Sequence, residues 1–191
     1  LQPTARMAWT PNLQHSLWGA ITRAVRTPSR SQNGIVAQPL ALFGSTSLKA
    51  ESLIAYELGY RHQPSELLWL DLALFYNDYQ DLIGVTTTTA GANQANNNVE
   101  GESWGAELST SWKPSTFLEL MFSYSWLEMR MHNDGPLPLS DQLAQIGTSP
   151  EQQFSLRAGI PLPQNVRLDL WLRYVDQLEQ PQVDDYTELD I

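Results

Sequence analysis

The sequence contains no cysteine and few cationic side chains. Without thiols the chain forms neither a disulfide framework nor a thiolate metal site. Eleven lysines and arginines stand against 21 aspartates and glutamates, which gives a formal net charge of -10. Because no basic stripe is available to neutralise phosphates, the composition argues against nucleic acid as a partner.

Long hydrophobic runs and catalytic motifs are also missing. No run of eighteen apolar residues occurs, which excludes a transmembrane helix. No HExxH, GxSxG, P-loop or GxGxxG motif occurs either. The three histidines, His15, His62 and His132, are predicted to lie in a strand start, a short turn and a long loop. We therefore expect no catalytic residue, no metal site and no cofactor, and we predict that the protein is not an enzyme.

The sequence does contain many aromatic residues, seven tryptophans and seven tyrosines, in segments that alternate apolar and polar residues. In "LLWLDLALFYND" the residues from Leu68 to Tyr76 at even positions share one face, and Asp71 lies on the other. This period of two indicates β-strands. The predicted fold is all-β, with nine strands at about 4–10, 14–24, 51–61, 66–81, 99–112, 116–128, 152–160, 165–176 and 186–191.

The connections between these strands are of two kinds that alternate along the chain. Short turns carry proline, as in "WTPN" at 9–12 and "WKPS" at 112–115, and again at Pro64 and Pro163. Long polar loops are predicted at about 25–50, 85–98, 129–151 and 177–185. Short turns at one end of long strands and long loops at the other are typical of an outer-membrane barrel. The alternative is a soluble antiparallel sheet with uneven loops.

The two strand faces differ in charge. One carries almost no charged residue, as contact with hydrocarbon requires, and has aromatic residues near both strand ends, at Trp9, Tyr60 and Trp112 and at Tyr76, Trp126 and Tyr174. We interpret these as two interfacial girdles, with ordinary cross-strand aromatic pairs as the alternative. The other face suits a hydrated lumen or contact with an internal domain. Its charged residues are Glu57, Asp71, Glu107, Glu119, Arg157, Asp169 and Arg173.

Two groups of charged residues are candidates for binding. The segment "RAVRTPSR" holds Arg23, Arg26 and Arg30 in an otherwise acidic chain. We predict that Arg26 and Arg30 contact an anionic ligand in an external loop, and the alternative is that these arginines pair with lumenal carboxylates. Asp78 and Asp81 are candidates for a cation site, although such residues more often solvate a strand end.

Several segments resemble the TonB-dependent outer-membrane receptors in order and spacing. They are "WGAITRAVRTPSR", "ESLIAYELGYRHQPSELLWLDLALFYNDYQDLIG", "NVEGESWGAELSTSWKPSTFLELMFSYSW" and "YTELDI". The resemblance covers nearly the whole chain and is specific for the family, not for a substrate. It implies that residues 1–191 are a C-terminal section of a 22-stranded barrel, lacking the plug domain, the TonB box and the terminal strands.

The same resemblance implies a function in the outer membrane of a Gram-negative bacterium. A receptor of this family takes up a scarce nutrient, most often a ferric siderophore, and is energised by TonB in the periplasm. Two alternatives remain at this point: a passive, porin-like barrel, and a soluble all-β binding or adhesion module.

Overall fold

The computed structural model describes residues 1–34, 36–37, 42–87, 92–133, 148–178 and 182–191. Nine long strands dominate these residues, which confirms the predicted all-β class. In chain order the elements are β1 (Thr4–Asn12), β2 (His15–Arg26), helix α1 (Arg30–Gly34), the two-residue strands β3 (Val36–Ala37) and β4 (Leu42–Phe43), β5 (Glu51–Ser65), β6 (Leu68–Thr87), β7 (Asn93–Ser115), β8 (Leu118–Asn133), β9 (Gln152–Leu162), a 3-10 turn (Pro163–Asn165), β10 (Val166–Val175) and β11 (Tyr186–Asp190).

The long strands form an antiparallel meander in which neighbours in sequence are neighbours in the sheet. Their order is β1-β2-β5-β6-β7-β8-β9-β10-β11, while β4 joins the outer part of β7 in parallel. The central strands are long: β5 to β8 have 15, 20, 23 and 16 residues. About nine to eleven residues suffice for a tilted strand to cross a bilayer. None of the helices in the described segments is long and apolar enough to cross a membrane.

The sheet is a single layer, with very little buried in the usual sense. Among the described residues, the buried apolar side chains are Ala20, Ala95 and Val99 alone. Large apolar side chains instead point outward from one face, hereafter the apolar face, where Leu58 is 55% exposed and Trp112 is 47% exposed. A soluble domain would cover such a face with a second layer. The exposed apolar face therefore needs lipid or another covering surface.

The repeated proline turns share one construction. The strand register shifts between Trp9 and Asn12, and likewise between His62 and Ser65 and between Trp112 and Ser115. A proline lies inside each shift, where its missing N–H breaks no ladder bond. The side chain of the residue after the proline then accepts a hydrogen bond from the backbone N–H of the residue two positions later. These bonds join Asn12 to Gln14 (2.9 Å), Ser65 to Leu67 (3.2 Å) and Ser115 to Phe117 (3.3 Å).

The fourth tight turn uses a different solution. Pro163 begins a 3-10 turn in which Gln164 and Asn165 have φ values of 64° and 60°. Left-handed backbone is disfavoured for most residues but tolerated by asparagine. All four short turns thus lie at one end of the sheet, as predicted, and the long connections lie at the other.

The prediction of a loop at 85–98 is wrong, because most of these residues form strand. Thr86 pairs with Gln94 and Val85 with Ala95, so β6 and β7 continue as a polar hairpin. Polar composition there marks strands that have left an apolar environment, and their ladder hydrogen bonds persist. The predicted loop at 129–151 likewise begins late, since β8 runs to Asn133. Most of that loop, residues 134–147, lies outside the described part of the chain.

Candidate functional site

Arg26, the first predicted ligand contact, is the last residue of β2 and lies directly opposite Glu51, the first residue of β5. Its Nε and Nη2 both donate to the Glu51 carboxylate, with Nη2 2.6 Å from Oε1. The Glu51 side chain is only 6% exposed, while that of Arg26 is 65% exposed. Glu51 Oε1 also accepts the Ile83 N–H at 2.8 Å. Glu51 therefore fastens β2 and β6 to the start of β5, and one side of the Arg26 guanidinium remains open.

The three arginines of "RAVRTPSR" do not form one cluster. Arg23 and Arg26 are three residues apart on a strand, so alternation sends them to opposite faces. Arg23 donates to the Leu1 carbonyl at 3.1 Å. Arg30 is exposed and begins helix α1, past the end of β2. Arg26 and Arg30 thus remain the candidates on the long-loop side, and Arg23 belongs to the apolar face.

A cavity of about 360 Å³ lies beside the Arg26–Glu51 pair at the long-loop end. Its volume is within the range of small-molecule sites. By strand parity its main lining residues lie on the charged face of the sheet, opposite the apolar one. They include Ala24, Leu53, Tyr79, Met129 and Met131, with the ion pair at one edge. The arrangement offers an apolar wall with one cation held at its rim.

Contacts with neighbouring strands hold two lining residues of this cavity, Tyr79 and Met131, in place. Ser103, 1% exposed, receives a hydrogen bond from the Asn77 amide at 3.0 Å, and its hydroxyl lies 3.3 Å from the Tyr79 hydroxyl. Gly101 makes room for Met131, because a Cβ at position 101 would overlap its sulfur. The wall is therefore ordered by strand-to-strand contacts, as a preformed site requires.

The candidate cation site at Asp78 and Asp81 is largely taken up by the protein itself. Asp81 Oδ1 lies 3.1 Å from the Lys49 ammonium, and the Asn97 amide donates to the Asp81 carbonyl at 2.6 Å. Asp78 accepts from Gln80 at 3.3 Å. No group of three or more His, Cys, Asp or Glu side chains gathers into a metal cage in the segments that the structure describes. Asp81 serves to hold the loop before β5 against β6.

Toward the short-turn end, the charged face carries ion pairs that run between strands. Arg61 and Asp71 meet at 2.6 Å across β5 and β6. Arg167 on β10 reaches past β9 to Glu119 on β8, with Nη2 3.2 Å from Oε2. It crosses at Gly159, which the register places between Glu119 and Asp169. A Cβ on Gly159 would overlap the guanidinium, so glycine is what opens this path.

The family model described as "TonB dependent receptor-like, beta-barrel" matches residues 1–191, the whole chain. The chain belongs to the TonB-dependent receptors. This family consists of outer-membrane transport receptors, not enzymes. No curated protein matches the sequence at a significant level.

Solved TonB-dependent receptors share the fold of this chain at low sequence identity. The FrpB iron transporter from Neisseria meningitidis (F3-3 variant) is 14% identical with a TM-score of 0.74, over 97% of this chain and 30% of that one. The siderophore receptor PirA from Pseudomonas aeruginosa is 15% identical, with a TM-score of 0.71 over 98% and 32%. The ferric-catecholate import receptor Fiu from E. coli K12 is 15% identical, with a TM-score of 0.73 over 97% and 27%. The chain spans about a third of the length of these structures.

In a TonB-dependent receptor barrel the apolar face meets lipid and the charged face lines the lumen. The cavity beside Arg26 is then lumenal and lies toward the long loops. Sequence reasoning missed Glu51, Met129 and Met131 as parts of this site. Glu51 has the same strand parity as Glu57, but its pairing with Arg26 depends on the register of β2 with β5, which the 27–50 connection leaves open. The two methionines fell in the predicted loop at 129–151.

Proposed function

We propose that the complete receptor takes up a ferric siderophore across the outer membrane of a Gram-negative bacterium and is energised by TonB. The family match over residues 1–191 carries this proposal. The plug domain and the remaining strands of a 22-stranded barrel would be supplied by parts of the receptor outside these residues. The chain would then contribute one wall of the lumen and its long loops.

The cavity at Arg26 supports an anionic ligand with apolar parts. Tyr79, Met129 and Met131 offer contact surface, and the open side of the Arg26 guanidinium offers charged donors. Arginine donors are suited to carboxylate or catecholate oxygens because their planar N–H groups bind two acceptors at once. An iron chelate with anionic oxygens fits this combination. Arg30 would contact the same ligand from the start of α1.

A growth experiment tests substrate and energy source together. A strain lacking the receptor gene is starved of iron and supplied with single siderophores, with and without a plasmid copy of the gene. We expect one siderophore class to restore growth only in the complemented strain. The same rescue must disappear in a strain that lacks TonB. Rescue that persists without TonB would indicate a passive porin, and rescue by no siderophore would exclude this substrate class.

The arginine contacts are tested separately by binding. Replacing Arg30 with glutamine removes a charge without disturbing a paired carboxylate. We expect the Kd of the rescuing siderophore, measured by tryptophan fluorescence on the detergent-solubilised receptor, to rise about tenfold or more, since a hydrogen bond to a charged group contributes about 1.5–3 kcal/mol. Arg130→Gln is the matched control, because Arg130 is 67% exposed near the same end and lies on the apolar face. Equal Kd values for both variants would remove Arg30 from the site.

A further inference from the structure

A cluster of charged side chains at the short-turn end of the lumenal wall contains more cations than carboxylates. Arg167 on β10 contacts both Glu119 on β8 and Asp169 on its own strand, at 3.2 Å and 3.1 Å. Lys113 lies 3.0 Å from the other oxygen of Glu119, and Arg157 lies 3.3 Å from Asp169. Among the described residues, three cations therefore share two carboxylates, and one positive charge remains in a chain of net charge -10.

The cations of this cluster face open space, while the carboxylates lie behind them. Lys113, Arg157 and Arg167 are each about half exposed, and the side chains of Glu119 and Asp169 are less so. An arginine carries five N–H donors and a lysine three, so each cation keeps donors that neither carboxylate takes up. The cluster therefore presents positive charge and free hydrogen-bond donors to the lumen.

A cavity of about 460 Å³ opens beside this cluster, and its volume is within the range of small-molecule sites. Lys113 and Arg167 line it together with two apolar residues, Leu67 from the turn before β6 and Pro161 near the end of β9. Gly159 is also part of the lining, and a Cβ there would overlap the Arg167 guanidinium. The cluster is thus the charged side of a cavity that glycine keeps open.

This cavity repeats the chemistry of the cavity at Arg26, at the opposite end of the wall. Both combine arginine donors with apolar lining. Glu119 beside the one and Met129 beside the other lie ten residues apart on β8, which is about 33 Å along a strand. The row midway between them consists of uncharged serines on three neighbouring strands, Ser109, Ser123 and Ser155.

We propose that Lys113, Arg157 and Arg167, with the cavity beside them, form an exit site, where the transported anionic chelate binds before it enters the periplasm. The exit site rests on the proposed function, since it requires an anionic substrate that passes along this wall. Short turns lie on the periplasmic side of outer-membrane barrels, so this is the last part of the wall that such a ligand meets. Half-exposed donors bind an anion weakly and release it again, as a site on a transport path must.

A charge series in the full-length receptor tests the exit site. Lys113→Gln and Arg157→Gln each remove one cation and leave its carboxylate paired with Arg167, so the fold is kept. We expect the maximal rate of uptake of the chelate, loaded with radioactive iron, to fall about three- to tenfold in each variant. The double variant Lys113→Gln/Arg157→Gln should be slower still.

A second double variant separates charge from structure. Lys113→Gln/Glu119→Gln loses the same cation and one carboxylate, so the net charge of the cluster returns to its wild-type value. We expect uptake to recover to within about twofold of the wild-type rate, because the attraction of the anion depends on that net charge. If the cluster only fastened strands together, the second substitution would bring no recovery, and the exit site would be refuted.

Binding at the cell surface is the control for folding and insertion. In a strain that lacks TonB, the Kd of the chelate and the number of binding sites per cell should be equal for the wild type and all variants. Equal uptake rates with normal surface binding would overturn the exit site and leave the proposed function standing. If the wild-type receptor takes up no siderophore at all, the proposed substrate fails, and the exit site fails with it.

The competing occupant of the cluster is an acidic segment of the receptor itself, held inside the lumen. Its release would open the barrel, and the cells would become sensitive to vancomycin, which an intact outer membrane excludes. We expect vancomycin sensitivity to stay at the wild-type level throughout the charge series. Sensitivity that rises as cations are removed would assign the cluster to that segment and overturn the exit site.

Discussion

Because Arg26 and Glu51 form an ion pair, replacing either residue should destabilise the receptor, but by different amounts. Replacing Arg26 with methionine leaves the Glu51 carboxylate, which is 6% exposed, with the Ile83 N–H as its remaining hydrogen-bond donor among the described residues. Breaking a fully buried pair costs about 3–5 kcal/mol. Because Arg26 is itself 65% exposed, we expect a smaller cost, about 2–3 kcal/mol. Glu51→Gln keeps an acceptor for Ile83 and releases the guanidinium to water, at a cost of about 1 kcal/mol.

Amide hydrogen exchange of the full-length receptor measures this difference where it arises. The relevant peptide contains Ile83, whose N–H is bound by Glu51. If exchange follows local opening, Arg26→Met should accelerate it roughly 30- to 150-fold and Glu51→Gln only about fivefold. The double variant Arg26→Met/Glu51→Gln should resemble Glu51→Gln alone, because the unpaired charge is gone. Comparing the two single variants with the double variant therefore isolates the free-energy cost of leaving the Glu51 carboxylate unpaired.

The same variants separate the two interpretations of Arg26. If Arg26 acts only on Glu51, siderophore affinity in the double variant stays near the wild-type value. If Arg26 also contacts ligand, affinity falls about tenfold in both Arg26 variants, whatever their exchange rates. Unchanged exchange in Arg26→Met, with the receptor normally folded, would refute the reasoning from burial.

Three further changes test other parts of the sheet. Gly159→Ala should displace the Arg167 guanidinium and break its contact with Glu119, and a variant structure with that pair intact would contradict this. Ser65→Ala should cost about 0.5–1.5 kcal/mol in urea unfolding by removing the acceptor for its turn, and Ser65→Asn should recover it, since Asn12 serves the same turn elsewhere. Trp112→Ala should weaken insertion into vesicles and leave siderophore affinity nearly unchanged; the reverse result would remove Trp112 from the membrane interface.

How far the sequence predicts this structure depends on the range of the interaction concerned. Strands and short turns follow from local alternation and from proline, so all nine long strands were predicted. When a tight turn joins two strands, its length nearly determines their register, and the Arg61–Asp71 pair could be predicted in this way. The Arg26–Glu51 pair needs the register of β2 with β5, which the 24-residue connection between these strands leaves open. The β6–β7 extension was missed because its polar residues follow no alternation.

The register also gives the tilt of the strands. One cross-strand row runs Leu17–Tyr60–Leu72–Leu108–Tyr124–Phe154–Tyr174. Leu17 lies two residues after the start of β2, and Tyr174 lies eight after the start of β10, a shift of 8 − 2 = 6 residues. Six residues span about 20 Å along a strand, and six strand spacings span about 29 Å. If the short turns lie at one level, the strands tilt by about 35°, which agrees with membrane barrels.

With this tilt, the number of residues between two positions on a strand gives their separation along the membrane normal. Tyr76, Trp126 and Tyr174 each lie eight residues after the first residue of their strand, and an acidic residue follows two positions later on the same face. The acids are Asp78, Glu128 and Asp176. Eight residues at a tilt of about 35° rise about 22 Å, close to the apolar band of about 25 Å on outer-membrane barrels. The aromatic residue then marks the loop-side edge of the lipid, and the acid marks the first aqueous position. β2 has Arg23 where the other strands have this aromatic residue, so on β2 the first charged residue already lies at the loop-side edge of the lipid.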